Sequence, residues 1–368
     1  MARELPKYMA LVGWVKDQII GNHLPYGEKF YSENEIGEMF GVSRQTVRQA
    51  IGILEQEGFV ERRRGSGTYV VYGSRKSRQP TMNIGVISTY LDSYIFPAII
   101  KGIDLVLAGQ GYTMQLVLTH NKVENETRAL TTMLEKDVDG IIVEPTKSGL
   151  PNPNTALYGE IRARKIPLLF FNAYYPGMDF PHVSLNDRAA GQMAARCLIR
   201  AGHRKIAGMF QSDDLQGHLR YAGYVDALTE AGIEVNSGNI LWFVTEDIPY
   251  LAEDFHRIER CLRDCTGMVC YNDQIASGIV PELRKNGILI PDMLSVTGID
   301  NAEIAALCEV PLTTVAHPME KLGETAARNI LRLIADPLFD ATIEFDPRLV
   351  RRSSVRELCT DLSEKFEL

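Results

Sequence analysis

Apolar residues recur at helical spacing three times in the first sixty positions. Met9, Val12, Val15, Ile19 and Ile20 mark a helix over residues 7–22, which the stretch GNHLPYG ends. Ser32 and Glu35 form a capping-box signature that opens a second helix with the stripe Ile36, Met39, Phe40, and Gly41 supplies a left-handed stop. After the short turn Gly41-Val42, Ser43 caps a third helix that runs to about Glu57, with Gly58 as its stop. Its apolar row, Val47, Ala50, Ile51 and Leu54, stands at i, i+3, i+4 and i+7. In FVERRRGSGTYVV, two β-prone segments then flank Gly65-Ser66-Gly67, a hairpin whose tip needs positive φ. Helices at this spacing followed by a hairpin predict a winged helix-turn-helix.

From Asn83 onward the pattern changes. Short apolar runs (NIGVIS, MQLVLTH, GIIVEP, IPLLFFNA, KIAGMFQS, NILWFVT, GMVCYND and LSVTGID) are separated by helical patterns over 94–110, 124–136, 187–201, 215–231, 250–264 and 273–286. Near-continuous apolar strands alternating with helices predict parallel sheets covered on both faces. The runs fall into two clusters, so the expected fold class is α/β: a winged-helix head and a body of two doubly wound lobes. Between them, YGSRKSRQPT is polar, basic and without apolar periodicity, as a linker would be. The expected divisions are a head over 1–72, a linker over 73–81, a two-lobed body over 82–356 and a tail over 357–368.

Charge separates the same two parts. The chain has 368 residues, ample for two or three domains, and a formal net charge of −8. Residues 1–80 carry 12 Lys/Arg against 9 Asp/Glu, net +3, whereas residues 81–368 carry 27 against 38, net −11. A small basic head on an acidic body points to two jobs. The start, MARELPKYMALVGWVKDQ, lacks the apolar core of a signal peptide, and no run approaches the ~18 apolar residues of a membrane helix. Six cysteines are too sparse for a disulfide scaffold, so a cytoplasmic protein with no membrane partner is expected.

The head's chemistry lies beside the apolar row of its third helix, where Arg44, Gln45, Thr46, Arg48 and Gln49 cluster. Such a helix fits a major groove, where Arg pairs bidentately with guanine and Gln with adenine. The wing can lay its Gly-rich tip and Arg62, Arg63 and Arg64 against the minor groove or phosphates. The segment YSENEIGEMFGVSRQTVRQAIGILEQEGFVERRRGSGTYV resembles the GntR winged helix over about residues 6–71, with Phe30-Tyr31 in place of the usual Leu-Pro. That resemblance implies double-stranded operator DNA as a partner. It places Ser32 and Asn34 at phosphate or base, Ser43, Arg44, Gln45, Thr46 and Arg48 in the major groove, and Arg64, Gly65 and Gly67 at the wing contact.

In open parallel sheets, ligands sit beyond the carboxyl ends of the strands. Here those ends are polar: Asp92 and Tyr94, then Glu144, then Asn172 in the first cluster, and Asp213, Asn272, Asp273, Asp300 and His317 in the second. Carboxylates, amides and aromatic rings converging on a cleft suit a polyol, with Tyr94, Phe96, Phe171, Tyr174, Trp242 and Phe243 as candidate walls. Asp187 and Asp273 also read as N-caps of the helices that follow. The stretches GHRKIAGMF, LRYAGYVDALTEAGI, MVCYNDQIASGIVPELRKNGILIPDMLSVTGIDN and PLTTVAHPMEKLGETAARNILRLI resemble the LacI/GalR effector module over about 82–356. By that resemblance Arg220, Asn272 and Asp300 contact sugar hydroxyls, His317 stands where Gln or Asn is commoner, and Tyr94 and Phe96 fall in a segment that usually reads SNPFF. A GntR-type head on such a module is similar to the arabinose-responsive repressors, which implies L-arabinose as effector.

Other chemistries fit less well. Cys261, Cys265 and Cys270 lack the spacing and the nearby His of a tetrahedral zinc site. Gly65–Gly67 lack the Gly-Lys-Ser/Thr of a phosphate loop. Glu144 and Asp300 would be the pair for sugar hydrolysis, the rival in which an enzyme carries a regulatory head. The expectation is a homodimeric, sugar-released transcriptional repressor without cofactor, metal or catalytic residues. A sugar-responsive activator is the other alternative.

Overall fold

The computed structural model describes residues 6–20, 23–24, 27–63, 66–71, 80–91 and 94–358. The chain divides into two compact units, Met1–Pro80 and Thr81–Leu368.

The first unit contains α1 (Lys7–Ile20), α2 (Glu33–Phe40), α3 (Arg44–Gln56) and the hairpin β1 (Val60–Arg63) with β2 (Gly67–Val70). The local signals act as their chemistry requires. Glu35 N donates to Ser32 Oγ at 3.3 Å, and Ser32 N donates to Glu35 Oε2 at 2.7 Å, closing the capping box. Gly41 takes φ 59° and Gly58 takes φ 74° at the two helix stops. Leu11, Val15 and Ile19 of α1 bury against Ile36, Val47, Ile51 and Leu54. Met9 and Met39, expected on the apolar stripes, are exposed instead, and Leu11 takes the inward position on α1. The hairpin pairs antiparallel from Val60 with Val70 to Arg63 with Gly67. Gly67 has φ 116°, a backbone conformation that favours glycine, and the nearest atom a Cβ would meet is the movable Lys29 Cε at 2.8 Å.

The second unit comprises, in order, β3 (Asn83–Ser88), α4 (Phe96–Gly109), β4 (Thr113–Leu118), α5 (Val123–Glu135), β5 (Gly140–Val143), α6 (Thr155–Ala163), β6 (Leu168–Asn172), β7 (His182–Leu185), α7 (Asp187–Arg200), β8 (Ile206–Gln211) and α8 (Leu215–Glu230). It continues with β9 (Ile240–Phe243), α9 (Phe255–Cys261), β10 (Gly267–Cys270), α10 (Asp273–Lys285), β11 (Ser295–Asp300), α11 (Glu303–Leu307), β12 (Thr313–Ala316), α12 (Met319–Ala335), β13 (Ile343–Phe345) and β14 (Arg348–Val350). One sheet has the order β13-β7-β6-β5-β3-β4 and is all parallel; the other has the order β14-β12-β11-β10-β8-β9, with only β14 antiparallel. The chain crosses between lobes three times, at Asn186, at His317-Pro318 and at Asp346-Pro347, because α12 and β13 return to the first lobe.

Differences from the sequence expectation are local. Residues 245–250 form a 3-10 turn and α9 covers only Phe255–Cys261, in place of one helix over 250–264. Pro249 and the loop after it interrupt the pattern. Helices α6, α11 and α12 and strands β7, β13 and β14 were not read from the periodicity; the last two have three residues each. Helices α7 and α8 pack closely enough that a Cβ on Gly191 would lie 2.0 Å from Arg220 O. That glycine lets α7 press on the backbone of a residue central to the cleft.

Candidate DNA-reading face and effector cleft

The start of α3 presents its polar residues to solvent. Thr46 N donates to Ser43 Oγ at 3.2 Å, and the two hydroxyls bond at 2.9 Å, so Ser43 caps the helix. Arg44 and Gln45 are exposed, and among the described residues neither side chain has a partner. Arg48 is 68% exposed, but its Nε donates to Glu33 Oε2 at 2.8 Å, which ties α3 to the first turn of α2. Asn34 is exposed one residue further on. On the wing, Arg63 lies over the Tyr69 ring at 4.6 Å and its Nε donates to Glu61. Arg64 and Gly65 lie outside the described residues. Lys29, which sequence reasoning passed over, joins Tyr31, Ser32, Arg62, Arg63 and Thr68 around a concavity between the wing and the start of α2. It is a basic residue just before the capping box, the one signal that could have flagged it.

In the body, a cleft of about 250 Å³ opens at the carboxyl ends of both sheets. Of the expected residues, Tyr94, Phe96, Glu144, Asn172, Arg220, Asn272 and Asp300 line it. Asp92 lies outside the described residues. The second-lobe wall is organised by Arg220, which is 1% exposed. Its Nε donates to Asp187 Oδ1 at 2.7 Å, Nη1 to Tyr271 O at 2.8 Å and Nη2 to Asp300 Oδ1 at 3.2 Å. Burial opposes its charge, but the carboxylates of Asp300 and Asp187 more than offset that, and its pKa is held well above the ordinary arginine value. Three of its five N–H donors are thereby used, leaving two for a ligand.

The first-lobe wall centres on Glu144. Its Oε2 accepts from Thr89 N at 2.8 Å, Thr89 Oγ1 at 2.6 Å and Ser88 Oγ at 3.2 Å, and its Oε1 accepts from Asn172 Nδ2 at 2.8 Å. Burial still pushes its pKa up to about 7. His317 is not on the cavity wall as expected; it stands one layer behind, where its Nε2 donates to Asn172 Oδ1 at 3.1 Å. Asn172 offers that oxygen because its amide nitrogen already donates to Glu144. Burial drives the His317 pKa down to about 4, so the ring is neutral, and its buried Nδ1 has no partner among the described residues.

Asp213, also expected on the wall, is likewise drawn away from it. Lys147 Nζ donates to Asp213 Oδ2 at 2.9 Å and to Glu246 Oε1 at 2.7 Å, spanning the mouth from one lobe to the other. Burial would raise the Asp213 pKa, but the bonds from Lys147 and Thr245 prevail and lower it. Among the described residues the lobes meet at further points, including the following. Asn121 Nδ2 donates to Thr245 Oγ1 at 2.6 Å, Leu215 N to Ser148 Oγ at 3.0 Å, Gly149 N to Asp213 O at 3.2 Å, and Tyr94 OH to Asp300 Oδ2 at 2.6 Å.

Residues missed by sequence reasoning include Tyr90, Lys147, Asp214, Gln211 and Tyr271, each within a few residues of a strand's carboxyl end. Tyr90 and Phe96, 5.6 Å apart, supply the aromatic wall. Of the other candidate rings, Phe171 and Phe243 are core residues, Tyr174 stacks on His182, and Trp242 packs on Phe210 and Tyr221. The caps fall one residue earlier than expected: Asn186 and Asn272 cap α7 and α10. Asp273 is instead buried, accepting from Thr314 Oγ1 at 2.6 Å and from Ala302 N at 3.0 Å. With acceptors on both walls, guanidinium and amide donors, and aromatic C–H surface, the cleft suits a neutral polyol.

Residues 7–70 match the family described as bacterial regulatory proteins, gntR family, and residues 195–355 match the periplasmic binding protein-like domain. The arabinose metabolism transcriptional repressor of Geobacillus stearothermophilus is 36% identical over 97% of this chain and 99% of that protein. The repressor of the same name from Halalkalibacterium halodurans is 38% identical over 95% of this chain and 97% of that one. The chain belongs to the family of arabinose metabolism transcriptional repressors. It therefore joins a gntR-type DNA-binding head to a sugar-responsive module of the periplasmic-binding-protein type. The fold of the repressor's body is shared with transcription regulator CcpA of Lactococcus lactis (TM-score 0.66, 26% identity, covering 74% of this chain and 99% of that one). No helix among the described residues is long and apolar enough to cross a membrane.

Proposed function

We propose that this repressor holds its operator as a homodimer and releases it when L-arabinose binds between the lobes. The observation that carries this reading is the Arg220–Asp187–Asp300 cluster, which Tyr94 of the opposite lobe joins through Asp300. A polyol bonded to Arg220, Asp300, Asn272 and Glu144 would touch both lobes at once, so its binding energy favours the state in which they meet. The names of the full-length relatives support arabinose as that polyol.

Each head places the start of α3 in a major groove, with two half-sites a helical turn or a multiple apart. Ser43, Arg44, Gln45, Thr46 and Arg48 read bases there, Ser32 and Asn34 hold the backbone, and Arg64, Gly65 and Gly67 make the wing contact. We assign Asp92 an effector contact as well, from its place after the first strand in the sequence. The kinship with transcription regulators supports a cytoplasmic, non-enzymatic role, with Glu144 and Asp300 as fixed acceptors. The test is a thermal-shift and operator-release assay with L-arabinose, D-xylose and D-glucose. L-arabinose alone should release operator, and at about 100 times its Kd it should stabilise the protein by about 2.7 kcal/mol. Turnover of the sugar, or release by the others alone, would overturn the reading.

A further inference from the structure

Away from the cleft, the body has a second concavity whose charge opposes that of its surroundings. A groove of about 440 Å³ lies between the length of α7 and the edge strand β14, and four arginines line it: Arg196, Arg200, Arg348 and Arg351. Residues 81–368 carry a net charge of −11, so four guanidinium groups gathered at one place run against the composition. Arg196 is bonded to Glu230 on α8. Arg200, Arg348 and Arg351 are exposed, and among the described residues none of them pairs with a carboxylate. Asp346 is the one acidic residue on the lining.

Two elements converge here by their own geometry. Arg196 and Arg200 are i, i+4 on one face of α7. On β14, Leu349 packs into the core under α7, so Arg351, two residues on, shares that side of the sheet. Cys197 shares this lining with Arg200 and Arg351, and burial raises the pKa of its thiol against the opposing charges of those two arginines. The helix dipole accounts for Arg200 at the end of α7 but not for Arg348 on β14 or for Arg351 just after it.

We propose that this groove binds a small phosphorylated metabolite as a second effector. Guanidinium forks from two directions match phosphate oxygens bidentately, which makes arginine the side chain suited to a phosphate monoester. The volume is that of a small-molecule site, and Met193, Pro347 and Leu349 give a carbon skeleton an apolar floor. The groove also includes Asp346-Pro347, the third crossing between lobes. A ligand held there contacts α7 on one side and, on the other, a segment whose path depends on how the lobes meet, so it biases their closure.

The test uses the full-length protein, with inorganic phosphate and fructose 1,6-bisphosphate as probes and fructose as the uncharged control, followed by calorimetry. The bisphosphate should bind saturably, and the double substitution Arg200→Gln/Arg351→Gln should weaken it by about 10-fold or more. Arg348→Gln alone should weaken it less, with operator binding and thermal unfolding unchanged in both variants. Bound bisphosphate should also shift the midpoint of sugar-induced operator release by about 5-fold. Equal affinity for inorganic phosphate would support the groove with free phosphate as its ligand. No saturable binding of either probe, or binding that the substitutions leave intact, would overturn the proposal.

Discussion

The reading helix and the cleft use similar residues in opposite ways. Arg44 and Gln45 stand exposed with no partner among the described residues, whereas Arg220 and Asp300 are buried and bonded to each other. On α3 the fold uses the apolar row, the cap and the Arg48–Glu33 pair, which leaves Arg44 and Gln45 to serve another molecule. In the cleft the polar residues are part of the fold: each carboxylate is already held by protein donors, and the ligand completes a network that exists before it. Substitutions at the first site should therefore cost recognition and spare stability, and those at the second should cost both.

Arg220→Ala is the largest expected break. It leaves Asp187 and Asp300 buried without their guanidinium, and removing one partner of a buried ion pair costs about 3–5 kcal/mol. Urea unfolding should show that loss, and operator release by sugar should vanish. An Arg220→Ala protein of wild-type stability would show that the cleft network is not structural.

Glu144 tests the same contrast through pH. Its folded pKa of about 7 lies above the ordinary 4.5 because burial outweighs the four bonds it accepts. Folding therefore takes up a proton between those values. The resulting stabilisation is fully present below about pH 4.5 and is lost as pH rises through about 7. Across that window the unfolding free energy of the wild type should fall more steeply than that of Glu144→Gln, which cannot ionise. Parallel slopes in a denaturation series would refute the raised pKa.

Arg44→Ala carries the contrast into DNA binding. Its stability should stay within about 0.5 kcal/mol of wild type, as for other exposed sites, while discrimination between operator and scrambled duplex should fall by about 1–3 kcal/mol. Competition titrations at fixed salt measure this. A uniform loss of affinity for all duplexes would move Arg44 from the bases to the phosphates.

The same division explains what the sequence made legible. Ser32, Glu35, Gly41 and Ser43 act within a few residues of themselves, so the head could be read from spacing alone. The cleft follows from strand ends in open sheets, which brought out Glu144, Asn172, Asn272 and Asp300. Which layer a residue occupies is a tertiary matter: His317 and Asp213 sit close to the wall in sequence and in space, yet Asn172 and Lys147 draw them off it. Lys147 itself reaches across the mouth from a left-handed backbone position (φ 46°) that no pattern of apolar residues marks. The return of α12 and β13 to the first lobe was equally invisible, because strand–helix alternation does not say which sheet the next strand joins.

The smallest expected effect falls where the two kinds of site overlap. Ser32 caps α2 and is also proposed to touch operator DNA, so its removal should register twice. Losing the cap costs about 1 kcal/mol, because Glu35 N loses its acceptor, whereas the Ser32 backbone N–H that chiefly holds the Glu35 carboxyl below the usual range remains. Ser32→Asp keeps an acceptor for Glu35 N and favours the helix dipole, but sets a negative charge beside phosphate. If Ser32 only caps, the aspartate variant should bind operator as the wild type does; if it also faces the backbone of DNA, that variant should fold normally and bind worse than Ser32→Ala. Comparing the two by thermal unfolding and operator titration separates the structural role from the contact.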